Sequence, residues 1–111
     1  MGVVKYTSEP KVQIKELLNG QKQHMYEYTG MYSQEGDTSE KVYSYCFNLY
    51  DETNKLVLSS GELIHDNSKD TSSSNSTDTW NVRKTLDANI SYELEYIVTT
   101  VNGLKKSSGR Y

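Results

Sequence analysis

Apolar and polar residues alternate most cleanly near the end of the chain. Tyr92, Leu94, Tyr96, Val98 and Thr100 fall on one face of an extended segment, with Glu93, Glu95 and Thr99 on the other. A period of two marks a strand with one dry face and one wet face. Asn102-Gly103 follows, a pair suited to the positive φ angles of a two-residue hairpin turn, and Leu104 to Tyr111 is long enough to run back beside the first strand. Lys41 to Tyr50 repeats the pattern, with Tyr43, Tyr45, Phe47 and Leu49 on one face and Ser44, Cys46 and Asn48 on the other. His24 to Tyr32 carries Tyr26 and Tyr28 two apart, and Gly30 within it predicts a bulge or a close backbone approach.

The remaining segments are shorter. Lys11 to Leu18 fits two templates: Val12 and Ile14 alternate as in a strand, whereas Ile14, Leu17 and Leu18 share a helical face that Ser8 could cap. The strand is preferred, because everything downstream is β and a short isolated helix is marginal. Asp51 to Lys55 is turn chemistry, Leu56 to Leu58 opens a strand ending near Gly61, and Trp80 and Val82 alternate with Asn81 and Arg83. Gln34 to Glu40 and His65 to Asp78 read as polar loops, the second too polar to order itself. Residues 1–10 show little pattern and read as a lead-in to a single domain spanning 11–111. The cadence predicts seven short strands and an all-β sandwich.

Composition sharpens this reading. The 111 residues suit one domain. Only 34% are hydrophobic, but ten tyrosines add ring area that this fraction undervalues. A net charge of −3 is too small and too mixed to direct the chain to nucleic acid or an anionic membrane. No apolar run approaches the roughly 20 residues of a membrane span, and no signal-peptide core opens the sequence. One cysteine allows no internal disulfide.

Leu86-Asp-Ala-Asn-Ile-Ser-Tyr92, followed by alternating Leu94, Tyr96 and Val98, resembles the approach to the sixth strand of fibronectin type III domains. The tyrosine corner lies there, its ring packing inside while its hydroxyl satisfies a backbone group at the crossing between sheets. The resemblance implies a seven-stranded antiparallel β-sandwich of fibronectin type III or immunoglobulin-like type, with Leu86 capping the core and Tyr92 as the corner. Trp80 and Phe47 are the other core residues expected. The segments from Tyr26 to Gly36, Tyr43 to Asp51 and Thr99 to Gly103 are similar to such modules in tail-associated structural proteins of bacteriophages and prophages. That likeness implies a virion or extracellular setting. The chain departs from the family in lacking a Trp on the second strand, where Tyr26 or Tyr28 stands, and its hairpin turn is tighter than the adhesive loop of animal modules.

Candidate chemistry is sparse. Cys46 lies among strand aromatics with no basic neighbour to activate it, and His24 and His65 lack metal-ligand spacing, so neither a catalytic nor a metal site is expected. Asp66, Asp70 and Asp78 match no defined calcium loop. Glu93 and Glu95 share one strand face rather than opposing each other across a cleft, as glycoside hydrolysis requires. No cofactor is implied. Tyrosine is a favoured anchor of binding surfaces, and Tyr32 and Tyr50, at predicted strand ends, are the residues expected to be exposed for that purpose. The expected role is a non-catalytic spacer or attachment domain whose partners are protein subunits of a larger assembly. The alternative is a carbohydrate-binding accessory domain contacting a cell-surface glycan. Neither requires nucleic acid or membrane.

Overall fold

The structure, a computed structural model, describes residues 3–17, 24–35, 42–64, 74–84, 90–101 and 103–111. These form nine strands in two antiparallel sheets: β1 (Val3–Tyr6), β2 (Lys11–Leu17), β3 (His24–Glu35), β4 (Val42–Tyr50), β5 (Leu56–Ser59), β6 (Leu63–Ile64), β7 (Ser74–Lys84), β8 (Glu93–Thr100) and β9 (Lys105–Arg110). In the first sheet β7 pairs along one edge of β3, while β1 and β2 share the other edge end to end. In the second, β5 and β6 likewise share one edge of β4, β8 pairs the other, and β9 lies outside β8. The arrangement is sandwich-like and all-β. Among the described residues no helix is long and apolar enough to cross a membrane.

Two strands exceed the expected seven. Val3–Tyr6, read as part of a patternless lead-in, pairs with residues 32–35 of β3, and Leu63–Ile64 adds a short rung to β4. Lys11–Leu17 is a strand, as preferred. Ser74–Asp78, expected within a loop, belongs to β7, because all of β7 stays in unbroken register with β3. Main-chain pairing there overrides weak side-chain propensity.

The core is aromatic. Tyr26, Tyr28 and Tyr32 of β3 are buried against Phe47, Leu49, Leu94, Tyr96 and Val98 of the opposite sheet. Phe47 and Tyr96, register partners on β4 and β8, stack with centroids 5.0 Å apart and planes at 17°. Tyr28 approaches Phe47 at 6.1 Å and Trp80 at 5.2 Å, and Tyr6 meets Tyr96 edge-on at 5.4 Å. Such offset and edge-to-face pairs contribute about 0.5–1.5 kcal/mol each beyond area burial. Phe47 is fully buried in this core, and Trp80 is half-buried and packs against it.

One face assignment changes. The pairs Val42↔Thr100 and Ser44↔Thr99 leave Tyr43 as an extra residue, so it sits 46% exposed while Val42 takes the buried position. A bulge places two residues of one strand opposite one of the other, which shifts the alternation on either side of it. The hairpin between β8 and β9 also differs from the two-residue turn expected. Gly103 N–H donates to the Thr100 carbonyl (2.9 Å), Thr100 N–H donates to the Leu104 carbonyl (2.9 Å), and Gly103 has φ +83°. This closes a loop one residue longer, with glycine at the left-handed position. Asn102 lies outside the described residues.

Candidate functional site

The two tyrosines expected to form a surface do not share one. Tyr32 is only 2% exposed. The strand does not end there: β3 continues to Glu35 and β1 pairs beside it (Tyr6↔Tyr32), so the Tyr32 ring belongs to the inner row. Tyr50 does lie on the outer side of the second sheet, half-buried at the end of β4.

Around Tyr50 is a polar cluster drawn from four segments. Its hydroxyl donates to Glu95 Oε1 on β8 (2.9 Å), while Ser107 Oγ on β9 donates to Glu95 Oε2 (2.5 Å). The Arg110 guanidinium lies 3.6 Å from the Tyr50 ring centroid and donates through Nη1 to Asn54 Oδ1 (3.1 Å). Asn54 is held by its turn, which gives it φ +65°. The turn is built on the Asp51 carboxylate, which accepts from Thr53 N–H (2.8 Å), Thr53 Oγ1 (2.6 Å) and Lys55 N–H (3.1 Å). These bonds, the Thr53 hydroxyl foremost, favour the ionised form of Asp51 and lower its pKa. Burial, then the bond to Glu95, raises the pKa of Tyr50. Both Glu95 oxygens and one face of the Tyr50 ring are thus engaged within the protein. The cluster ties the β4–β5 turn to β8 and β9. Replacing Tyr50 by Phe is expected to cost about 1 kcal/mol in a denaturant titration, the net worth of one partly exposed hydrogen bond to a charged acceptor.

Cys46 is half-buried, its Sγ 3.4 Å from Asn48 Oδ1 and 3.8 Å from Ser59 Oγ. It lies on β4, whereas His24 opens β3 of the other sheet, and His65 is outside the described residues, as are Asp66 and Asp70. Asp78, the third acid of that loop reading, is in the core instead. It is 1% exposed, and its carboxylate accepts a hydrogen bond from the Tyr96 hydroxyl. Among the described residues no group of three His, Cys, Asp or Glu side chains is placed to hold a metal ion. Tyr92 is half-buried and packs against the core; Leu86 lies outside the described residues. Tyr92→Ala is therefore expected to cost about 2 kcal/mol in thermal or chemical unfolding, short of the roughly 3–5 for a fully buried ring.

What reasoning from sequence missed is the association of Gly30, Asp78 and Tyr96. A Cβ built on Gly30 would meet the Tyr96 ring at 2.5 Å, so the glycine makes room for the ring whose hydroxyl reaches Asp78, the register partner of Gly30 on β7. Gly30 was legible as a close approach, and the unbroken β3–β7 register removes the bulge alternative there. Two further phenols bridge the sheets: Tyr45 donates to the Thr79 carbonyl (3.3 Å), and Tyr6 donates to the Lys106 carbonyl.

Fold and surface together define an all-β, two-sheet protein cross-tied by tyrosines. No protein-family model matches the chain, and no curated protein matches it. Among solved structures it is similar to a crystal structure assigned to the ApaA protein from Bordetella pertussis, with 13% identity, TM-score 0.47 and coverage of 100% of this chain and 90% of that one.

Proposed function

We propose that the chain is a non-catalytic module of fibronectin type III or immunoglobulin-like type, acting as a spacer and attachment domain of a phage or prophage virion protein. The strand order supports the fold type: β1/β2, β3 and β7 in one sheet face β5/β6, β4, β8 and β9 in the other. The observation that carries the spacer reading is the course of the first and last strands. Gly30 lies against Tyr96, and Tyr6, the register partner of Tyr32, bonds Lys106, the partner of Val98. β3 and β8 therefore run in the same direction, and so do their antiparallel neighbours β1 and β9. With Tyr6 beside Lys106, Val3 lies toward one pole and Arg110 toward the other, roughly 20 Å apart along the strands. Polypeptide joined at the two ends would leave from opposite poles, as a spacer requires.

The glycan-binding reading has less support, because the Arg110 guanidinium lies over the Tyr50 ring that a sugar would stack on. The test is to purify particles from an induced lysate of the encoding host and to quantify peptides of this chain by mass spectrometry. Co-purification in fixed proportion to known virion proteins is expected. Exclusion from the particles, with heat released on titration against cell-wall polysaccharide, would overturn the proposal in favour of the glycan reading.

A further inference from the structure

The phenols differ in what receives their hydroxyl protons. Tyr6 and Tyr45 donate to the main-chain carbonyls of Lys106 and Thr79, and the buried Tyr28 hydroxyl has no hydrogen-bond partner among the described residues. Tyr96 and Tyr50 donate to carboxylates, those of Asp78 and Glu95. A main-chain carbonyl only shares a proton, whereas a carboxylate can take it outright. That difference governs one reaction. A phenol that loses an electron becomes a strong acid, so its oxidation needs a base within hydrogen-bond reach to receive the proton. The two carboxylate pairs are not equivalent. At Tyr50 the Arg110 guanidinium lies 3.6 Å from the ring centroid, and a cation held there opposes removal of an electron from the ring. At Tyr96 the ring is 0% exposed and Asp78 is 1% exposed. Moving the proton as the electron leaves makes Asp78 a carboxylic acid and Tyr96 a neutral radical, both uncharged, a change that burial favours.

Aromatic rings lead from the margin of the sandwich to this pair. Half-buried Trp80 lies 5.2 Å from Tyr28, Tyr28 lies 6.1 Å from Phe47, and Phe47 stacks on Tyr96 at 5.0 Å, all between ring centroids. An indole gives up an electron without first losing its N–H proton, which suits Trp80 to the point of entry. We infer that Tyr96 and Asp78 form a redox site, at which one-electron oxidants reaching the surface, such as peroxyl radicals or oxidised metal complexes, draw an electron out through Trp80 and leave a tyrosyl radical sealed in the core. The oxidant gains one electron and Tyr96 loses one. The Tyr96 O–H bond breaks, and its proton forms the O–H bond of the Asp78 carboxylic acid. A one-electron reductant such as ascorbate reverses both transfers and restores the phenol and the carboxylate. Phe47 on one face of the Tyr96 ring and Tyr6 at its edge keep other reactants from the radical. The activity is separate from the spacer role and stands or falls without it.

The test oxidises the intact chain with photogenerated tris(bipyridine)ruthenium(III) and follows transient absorption and electron paramagnetic resonance. The parent should show a neutral tyrosyl signal that outlives the radical of N-acetyltyrosinamide in the same solution by about tenfold or more. Asp78→Asn keeps an oxygen for the Tyr96 hydroxyl but cannot take its proton, so the long-lived signal should vanish. Tyr50→Phe should keep that signal, and Trp80→Phe should slow its appearance. A parent radical that decays as fast as the free amide's would overturn the inference. So would loss of the long-lived signal in Y50F, an unchanged rise in W80F, or its persistence in a folded D78N protein. The parent and Y50F measurements decide the matter even where D78N does not fold.

Discussion

Gly30→Ala is expected to destabilise the protein by about 3 kcal/mol, the upper end of what one added methyl costs in a packed core. The new Cβ would lie 2.5 Å from Cδ2 and Cε2 of Tyr96, and the ring has little room to yield. Phe47 stacks against it at 5.0 Å, Tyr6 abuts it edge-on, and Asp78 holds its hydroxyl. Alanine would ordinarily gain about 0.4–1 kcal/mol over glycine in an extended strand by restricting the unfolded chain, which is too little to offset the overlap. The melting temperature should fall by roughly 10 °C or more. A double-mutant cycle separates steric overlap from any other cause. Tyr96→Ala alone should be costly, by about 3–5 kcal/mol. In that background Gly30→Ala should cost almost nothing, because the atoms it struck are gone. Equal penalties in both backgrounds would remove Tyr96 as the reason for the glycine.

The same trio shows how far residue order can be read. Alternation at positions 94, 96 and 98 and at 45, 47 and 49 located β8 and β4 and their buried faces, because a period of two is written locally. Gly30 was legible as an anomaly, but its partner was not, since the Tyr96 ring arrives from the other sheet and 66 residues later in the chain. Asp78 was misread for a related reason. Among Ser, Asn and Thr an aspartate looks solvated, and only the pairing with β3 and the facing phenol make a buried carboxylate tolerable. Tyr43 and Tyr32 failed differently. One bulge moved Tyr43 out of the core, and a strand supplied by the first residues of the chain covered Tyr32, neither of which alternation can report. The cluster around Tyr50 was half visible. The Asp51–Lys55 turn announced itself, whereas the approach of Arg110 depends on how β9 pairs with β8.

Tyrosine in place of aliphatic core residues should also set the alkaline limit of the fold. In the unfolded chain a phenol ionises near pH 10. Burial, then the neighbouring Tyr26 and Tyr92, pushes Tyr28 up to about 12, and its hydroxyl has no hydrogen-bond partner among the described residues. Tyr96 is raised further, by burial first and then by the charge of Asp78 and the hydrogen bond to it; burial also raises Tyr6. Folded pKa values above the unfolded one mean that the stabilisation is complete below pH 10 and drains away as the pH climbs toward 12. Each such phenol removes about 1.4 kcal/mol per pH unit across that window. The fully buried pair Tyr28 and Tyr96 alone would thus remove roughly 5 kcal/mol by pH 12, comparable to the whole stability of many domains this size. Absorbance from the buried tyrosinates should therefore appear in a cooperative step between pH 11 and 12 that coincides with loss of the β-sheet circular dichroism signal. Tyr28→Phe removes one of these groups and a buried hydroxyl without a partner, so it should move that step to higher pH. Gradual ionisation of all the tyrosines near pH 10 with the sheet signal intact would mean that the rings are open to water, and that the two sheets are not sealed by them.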